Sequence, residues 1–199
     1  MTDSLERDPD SRGPSGMNMS FVGRLLRGLR ADASRSPLAA KDFDAPSTIT
    51  VTSPAFVDGG PIPRRHAGRG VGDNVSPELH WQGVPSGTET LVLLLDDVDA
   101  PLRKPLLHNA AVLEPDREGL PEGEFVPGRA GVRNVATMLS KTGYSGPRPI
   151  PGHGAHRYRF HVLALDRRLP EGATSVKAVL EAASGHVLAR GTLTGLYER

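Results

Sequence analysis

The pattern of apolar and polar positions along the chain predicts a fold made mainly of β-strands. Runs of strand length rich in apolar or β-branched residues alternate with turn residues such as glycine and proline. They cover residues 48–52, 77–81, 90–95, 106–113, 158–165 and 187–197. Several strands and one late helix indicate a mostly antiparallel β-sandwich.

Two segments have the spacing of a helix. Apolar residues from Phe21 to Leu29 fall on one face with arginines elsewhere, which predicts a short amphipathic helix over about residues 20–31. It would pack on the domain or on a second subunit. A basic helix at a membrane surface is the alternative, although the segment is short for stable anchoring. Thr174 or Ser175 would cap a C-terminal helix that ends at Gly185.

The chain divides into an arm and one folded domain. Residues 1–19 are polar and have almost nothing to bury, and residues 31–46 have the composition of a linker. We therefore predict a flexible N-terminal arm over residues 1–46, including the short helix, and a domain over residues 47–199.

Composition narrows the classes of partner. The 24 basic and 23 acidic residues leave a net charge of +1, so no global field attracts nucleic acid or a membrane. The lack of cysteine excludes disulfides and thiolate metal sites. The polar, acidic start differs from a secretory signal, and no apolar run approaches the ~18 residues of a membrane span. We expect a cytoplasmic protein.

Two clusters of polar residues carry the candidate chemistry. Asp96, Asp97 and Asp99 directly follow a buried strand, where carboxylates are costly unless they are paired. A loop rich in proline and glycine, residues 149–155, meets the strand that begins near Tyr158. Such loop-to-strand junctions often hold binding residues, because the sheet fixes groups on an irregular rim.

Strand alternation sorts the residues of the second cluster. It places His156 and Tyr158 on one face and Arg157 on the other, where Arg157 would pair with an aspartate. His153 lies on the loop and receives no role. His108 interrupts an apolar strand. It is either a core histidine whose hydrogen bonds are made within the protein or a residue that binds the ligand.

Several kinds of site have no support in the sequence. The histidines lack the spacing of a metal site, and no phosphate loop, dinucleotide fingerprint or nucleophile elbow is present. We expect no metal and no cofactor. The basic loop over residues 64–75, with Arg69, is either simply solvated or steers anions to a nearby pocket.

The motifs together resemble the phosphatidylethanolamine-binding protein family, and most closely its bacterial Raf-kinase-inhibitor-like branch. The resemblance covers about residues 49–199. It rests on Ser76-Pro77-Glu78-Leu79-His80-Trp81, Gly83-Val84-Pro85, Asp97-Val98-Asp99-Ala100-Pro101, Gly146-Pro147 and Gly154-Ala155-His156-Arg157-Tyr158.

The resemblance implies a β-sandwich with a preformed anion pocket at one edge of the sheet. Its ligand-binding residues would be Asp97, His108, Gly146, Pro147, His156 and Tyr158, and its supporting residues Asp99, Pro101 and Arg157. Loop N–H groups would join the histidines and tyrosine around the anion, while Asp97 holds a histidine in its donor state. Two departures affect ligand choice: Val98 replaces a usual proline, and Asn109 stands where relatives often carry an aromatic residue.

The function expected from these residues is that of a non-catalytic binding or regulatory protein. Its ligand would be phosphate, a phosphorylated head group or a carboxylate, and the resemblance implies a protein partner such as a kinase or a protease. The alternative is a hydrolase that uses a His/Asp acid–base pair in the same pocket. The arm would dock a partner or complete a homodimer.

Overall fold

Two β-sheets pack face to face in the computed structural model, which describes residues 19–137 and 142–199. The strands are β1 Thr50–Thr52, β2 Gly60–Pro61, β3 Leu79–Gln82, β4 Thr90–Asp97, β5 Leu106–Leu113, β6 Gly119–Leu120, β7 Val132–Val135, β8 His156–Leu165 and β9 Val187–Tyr197. The smaller sheet has the order β1-β3-β6 and the larger one the order β2-β9-β8-β4-β5-β7. All pairs are antiparallel except the short β2–β9 pair.

The central strand β4 is buried on both faces, which explains its unbroken apolar sequence. Leu91, Leu93 and Leu95 pack in the core between the two sheets. Val92 and Leu94 belong to a second core on the outer face of the larger sheet. The strand continues through Asp96 and Asp97, so these carboxylates lie in the sheet rather than after it.

Helix α2 (Val176–Ala183) covers part of the outer face, as the sequence predicts. Ser175 is its cap, with Oγ accepting a hydrogen bond of 3.2 Å from the Ala178 N–H. The buried residues of the helix recur at helical spacing and pack in the outer core: Val176, Val179, Leu180 and Ala183. No helix in the described ranges is long and apolar enough to cross a membrane.

The arm differs from the prediction in its second half. Helix α1 (Met19–Leu26) is shorter than expected, and three short 3₁₀ turns follow it between residues 33 and 43. Leu38 and Phe43 are buried in the outer core, so this segment is packed and not a flexible linker. Residues 1–18, for which the sequence predicts disorder, lie outside the described ranges, and the domain boundary at residue 47 stays a prediction.

Three strands were missing from the sequence prediction. β2 and β6 have only two residues each, too few for any periodicity, and β7 has only four. β7 extends the larger sheet by pairing with β5. The loop after residue 142 runs over the first half of β5 and forms one wall of the candidate site.

Candidate functional site

A cavity of about 490 Å³ opens at the edge of the larger sheet, where β4 ends and β5 and β8 begin. Five of the residues predicted for the anion pocket line it: Asp97, Pro101, His108, Gly146 and His156. These residues come from four separate segments of the chain, and the fold brings them together.

Asp97 and His156 form a buried pair at the back of this cavity. Oδ2 of Asp97 lies 2.8 Å from Nδ1 of His156, and Oδ1 accepts a bond of 2.9 Å from the Asp99 N–H. The side chains are only 5% and 2% exposed, respectively. Because a carboxylate can only accept here, Nδ1 of His156 carries the proton, and the ring is fixed in one orientation.

His153, which had no role in the sequence prediction, continues this chain of hydrogen bonds. Its Nδ1 lies 2.6 Å from Nε2 of His156, and its Nε2 lies 2.9 Å from the Leu26 carbonyl and 3.1 Å from the Leu29 carbonyl. Nε2 of His153 donates to these carbonyls, as Nδ1 of His156 donates to Asp97. Both ring nitrogens of His156 are therefore bonded to protein groups.

Helix α1 is docked on the loop that carries His153. A Cβ on Gly23 would collide with the Pro151 carbonyl, and a Cβ on Gly152 would lie 2.6 Å from the Ser20 carbonyl oxygen. Two glycines thus allow the helix and the loop to pack backbone against backbone.

Arg30, just beyond the helix, strengthens the same attachment. It donates a bond of 2.7 Å to the Ala155 carbonyl and lies 3.3 Å from Asp99. The arm is therefore joined to the site by an arginine as well as by His153.

A β-bulge in β5 explains the placement of His108. Leu95 pairs with Asn109 and Asp96 pairs with Leu107, so His108 is the extra residue that forms the bulge. Alternation predicted that His108 and Asn109 point to opposite faces. At the bulge both side chains instead bond to one loop: Nδ1 of His108 donates to the Ser145 carbonyl at 3.0 Å, and Nδ2 of Asn109 donates to the Gly143 carbonyl.

The rim of the cavity differs from the expectation in how its N–H groups are used. The Ser145 N–H donates to Oδ1 of Asn109 at 3.2 Å, and the Gly146 N–H donates to Oδ1 of Asn74 at 3.0 Å. Asn74 has a positive φ of 58° and also donates to the Tyr144 carbonyl. Two asparagine side chains thus hold the rim in shape, and these two N–H groups are directed at them.

Tyr158 lies beneath the two histidines. It is 1% exposed, its ring stacks on His156 at a centroid distance of 6.2 Å, and it meets the edge of His108 at 5.5 Å. Burial, together with the charge of Asp97, raises the pKa of its phenol, which keeps the hydroxyl protonated. Tyr158 and Pro147 are not among the described residues that line the cavity.

Asp99 and Arg157 form a two-pronged ion pair beside the site, in agreement with the structural role expected for Arg157. Nε and Nη2 of Arg157 donate to the two carboxylate oxygens at 2.8 and 2.9 Å. Burial raises the pKa of Asp99, but the bonds from Arg157 outweigh it and leave that pKa below its ordinary value. The pair fixes the turn that follows β4.

Two arginines give the cavity its positive charge. Arg69, from the basic loop over residues 64–75, lines it together with Arg148, which the sequence prediction missed. Arg148 directly follows the predicted Gly146-Pro147 rim, and that adjacency was the available signal. Asp97 is the one carboxylate among the described lining residues. The described part of the chain contains no group of three residues suited to hold a metal ion.

Comparison with known proteins shows which family this chain resembles. A family model described as phosphatidylethanolamine-binding protein matches residues 52–198. A UPF0098 protein of Aquifex aeolicus is 38% identical over 165 residues, which cover 80% of this chain and 94% of the relative.

Two solved structures are similar to the fold. One is a homologue of phosphatidylethanolamine-binding protein from Chlamydia trachomatis, with a TM-score of 0.66 and 31% identity. The other is YbcL of Escherichia coli, described as a member of the mammalian family, with a TM-score of 0.66 and 28% identity. Each comparison covers 77% of this chain and 99% of the other chain.

Proposed function

The chain belongs to the phosphatidylethanolamine-binding protein family, and from this premise we propose that it is a non-catalytic binding or regulatory protein with a small anionic ligand. The ligand occupies the cavity at the ends of β4, β5 and β8. The observation that carries the proposal is the composition of that cavity: Arg69, Arg148 and His108 line it, and its one described carboxylate, Asp97, is bonded to His156.

The charges of the cavity support an anion over a neutral or cationic ligand. Asp97 is bonded to His156, and the two arginines outnumber this one described carboxylate. A guanidinium matches the oxygens of phosphate and carboxylate groups, which it binds with two parallel hydrogen bonds. We propose phosphate, a phosphorylated head group or a carboxylate as the ligand class.

The geometry favours the arginines and His108 as the direct contacts and gives His156 a positioning role. The ring nitrogens of His156 are bonded to Asp97 and His153, while Arg148 is exposed at the rim. Tyr158 then supports the site through its ring, which stacks on His156, and the Pro147 carbonyl accepts a bond of 2.8 Å from the Gly68 N–H.

A titration with inorganic phosphate, phosphoethanolamine and acetate, followed through the histidine ring resonances, tests the proposal. We expect His108 to shift with at least one of them, and Arg148→Gln to weaken that binding about tenfold, the loss of one charge-assisted contact. Arg129→Gln removes the same charge at an exposed position outside this cavity and is the control. If His108 does not move in the folded protein, the cavity is not the binding site.

A hydrolase is the second candidate, favoured by the buried contact between Asp97 and His156. A carboxylate that orients an imidazole is the usual support of a general base. A screen with phosphoester and ester substrates tests this candidate. Turnover that disappears in His156→Ala while the fold is retained would establish it over the binding role.

Regulation of a protein partner such as a kinase or a protease, a cytoplasmic location and a homodimer remain proposals. The homodimer has one direct test, since Met19, Phe21, Leu25 and Leu29 are exposed on the arm. The mass in solution of the full chain and of Leu25→Glu would differ if this surface joins two copies. A monomeric mass for the full chain would exclude the dimer.

A further inference from the structure

Two guanidinium groups at the cavity beside Asp97 are left for a ligand. Arg69 and Arg148 are both exposed lining residues. Within residues 19–137 and 142–199, the Arg69 side chain makes no hydrogen bond or ion pair, and Arg148 makes one long bond, of 3.4 Å, to the Arg69 carbonyl. Because each guanidinium can bind two oxygens, two of them together match a doubly charged phosphate better than a carboxylate.

The carboxylates at and beside this cavity do not offer a place for a ligand cation. Both oxygens of Asp97 accept hydrogen bonds, from His156 and from the Asp99 N–H, and the side chain is only 5% exposed. Asp99 is bound by Arg157, and neither it nor Asp73 is among the described lining residues. An ammonium group on the ligand would therefore meet two guanidiniums without a free carboxylate, which disfavours its binding.

Three apolar side chains of the same cavity remain accessible to solvent. Leu102 is 50% exposed, and Leu106 and Ile150 are partly exposed. They come from the connection between β4 and β5, from the start of β5 and from the loop before β8. Since these side chains still contact water, a ligand that covers them removes apolar surface from solvent, which favours binding.

On the basis of the function proposed above, we propose that the ligand is a phosphate monoester whose organic part is uncharged and apolar. The phosphate group meets Arg69 and Arg148, and the organic part lies against Leu102, Leu106 and Ile150. Although the matching family model is described as phosphatidylethanolamine-binding, a phosphoethanolamine head group suits this cavity less well, because its ammonium group replaces apolar contact with charge repulsion.

Propyl phosphate and phosphoethanolamine form a matched pair for the test, because a methyl group in one takes the place of the ammonium group in the other. At about pH 8 both carry a doubly charged phosphate group, and the ring resonances of His108 report their binding. We expect propyl phosphate to bind about fourfold more tightly, the gain from covering one methyl group. Equal or tighter binding of phosphoethanolamine would overturn this ligand class and leave the anion site itself intact.

Inorganic phosphate separates this result from a failure of the site. It should shift the His108 resonances and bind more weakly than propyl phosphate, because it lacks the organic part. If neither ester nor inorganic phosphate shifts His108 in the folded protein, the cavity is not the binding site, and the proposed function fails together with the ligand class.

A carboxylate introduced on the apolar side of the cavity should reverse the preference. Ile150→Asp and Leu102→Asp each place a negative charge where the organic part lies, so phosphoethanolamine should then bind more tightly than propyl phosphate. Leu102 is half exposed, so its replacement leaves the core undisturbed. Val57→Asp adds the same charge at a 76% exposed apolar position outside the cavity and should keep the wild-type ratio. A wild-type ratio in both folded cavity variants would refute the placement of the organic part.

Discussion

Nδ1 of His153 lies 2.6 Å from Nε2 of His156, and this contact joins the N-terminal arm to the candidate site. Through it, the carbonyls at the end of α1 are connected to Asp97 by two imidazole rings. Hydrogen bonds therefore couple the position of the arm to the orientation of His156. The arm can thus affect the site although none of its described residues lines the cavity.

Replacing His153 with phenylalanine should weaken both ends of this connection. Phenylalanine keeps an aromatic ring, although a larger one, but Nε2 of buried His156 loses its partner and the Leu26 carbonyl keeps only the Leu29 N–H. The lost bonds should cost about 1 to 3 kcal/mol of unfolding free energy. Urea unfolding measures the change. His80→Phe, at an exposed histidine bonded to Glu78, is the control and should stay within about 0.5 kcal/mol. Equal effects would contradict the coupling.

Gly152→Ala should loosen α1 from the loop beneath it. The new methyl group would lie 2.6 Å from the Ser20 carbonyl oxygen, at a residue with a φ of +79°. Amide hydrogen exchange in α1 should become faster, because the helix must move away. Gly87→Ala has a similar φ of +85° but nothing within 4 Å, so it carries the backbone strain without the collision. Exchange in α1 that is unchanged in Gly152→Ala would refute the docking.

Phe43→Ala and Phe21→Ala should separate the packed part of the arm from the exposed part. Phe43 is 5% exposed in the outer core, and its loss should cost about 3 kcal/mol of unfolding free energy. Phe21 is 56% exposed, and its loss should stay within about 0.5 kcal/mol. Thermal or urea unfolding of both variants gives the comparison. A small effect at Phe43 would support the predicted boundary near residue 47.

Asp96→Asn should remove part of the loss of stability in acid. Burial raises the pKa of Asp96, but bonds from His161 and Arg159 outweigh it and hold the pKa below the ordinary value of 3.8. A lowered folded pKa stabilises the protein above 3.8, and this contribution disappears as the pH falls through the folded pKa. The gap in unfolding free energy between wild type and variant should therefore be large at pH 7 and shrink in acid.

The control for this comparison is Asp116→Asn, at an exposed aspartate. Its gap from wild type should be small at every pH. If the gap in unfolding free energy for Asp96→Asn is constant with pH, the variant is destabilised by the change in side-chain shape and not by the loss of the charge.

The strands with strong patterns and the cap of α2 were predictable from the sequence. β5 and β9 have the predicted bounds, and Ser175 is the cap, because each of these features depends on local residue types. The convergence of the Asp97 and His156 segments rested on the family resemblance, since periodicity alone does not say which distant segments meet.

Other features of the site depended on contacts that no local pattern contains. His153 was without a role because its partners, Leu26 and Leu29, are carbonyl groups more than a hundred residues away. The packing of Leu38 and Phe43 was hidden for a similar reason: two apolar residues in a polar stretch carry no periodicity. Asn109 was misplaced because alternation assumes a ladder without a bulge.

The bulge at His108 makes the site sensitive to the number of residues in β5 as well as to their identity. Deleting this one position would restore regular pairing between β4 and β5, so the sheet could survive while the loop over residues 143–145 loses an anchor. A substitution at the same position would keep the extra residue and the offset it creates. Changes in the length of β5 should therefore distinguish an effect on ligand binding from an effect on folding better than substitutions do.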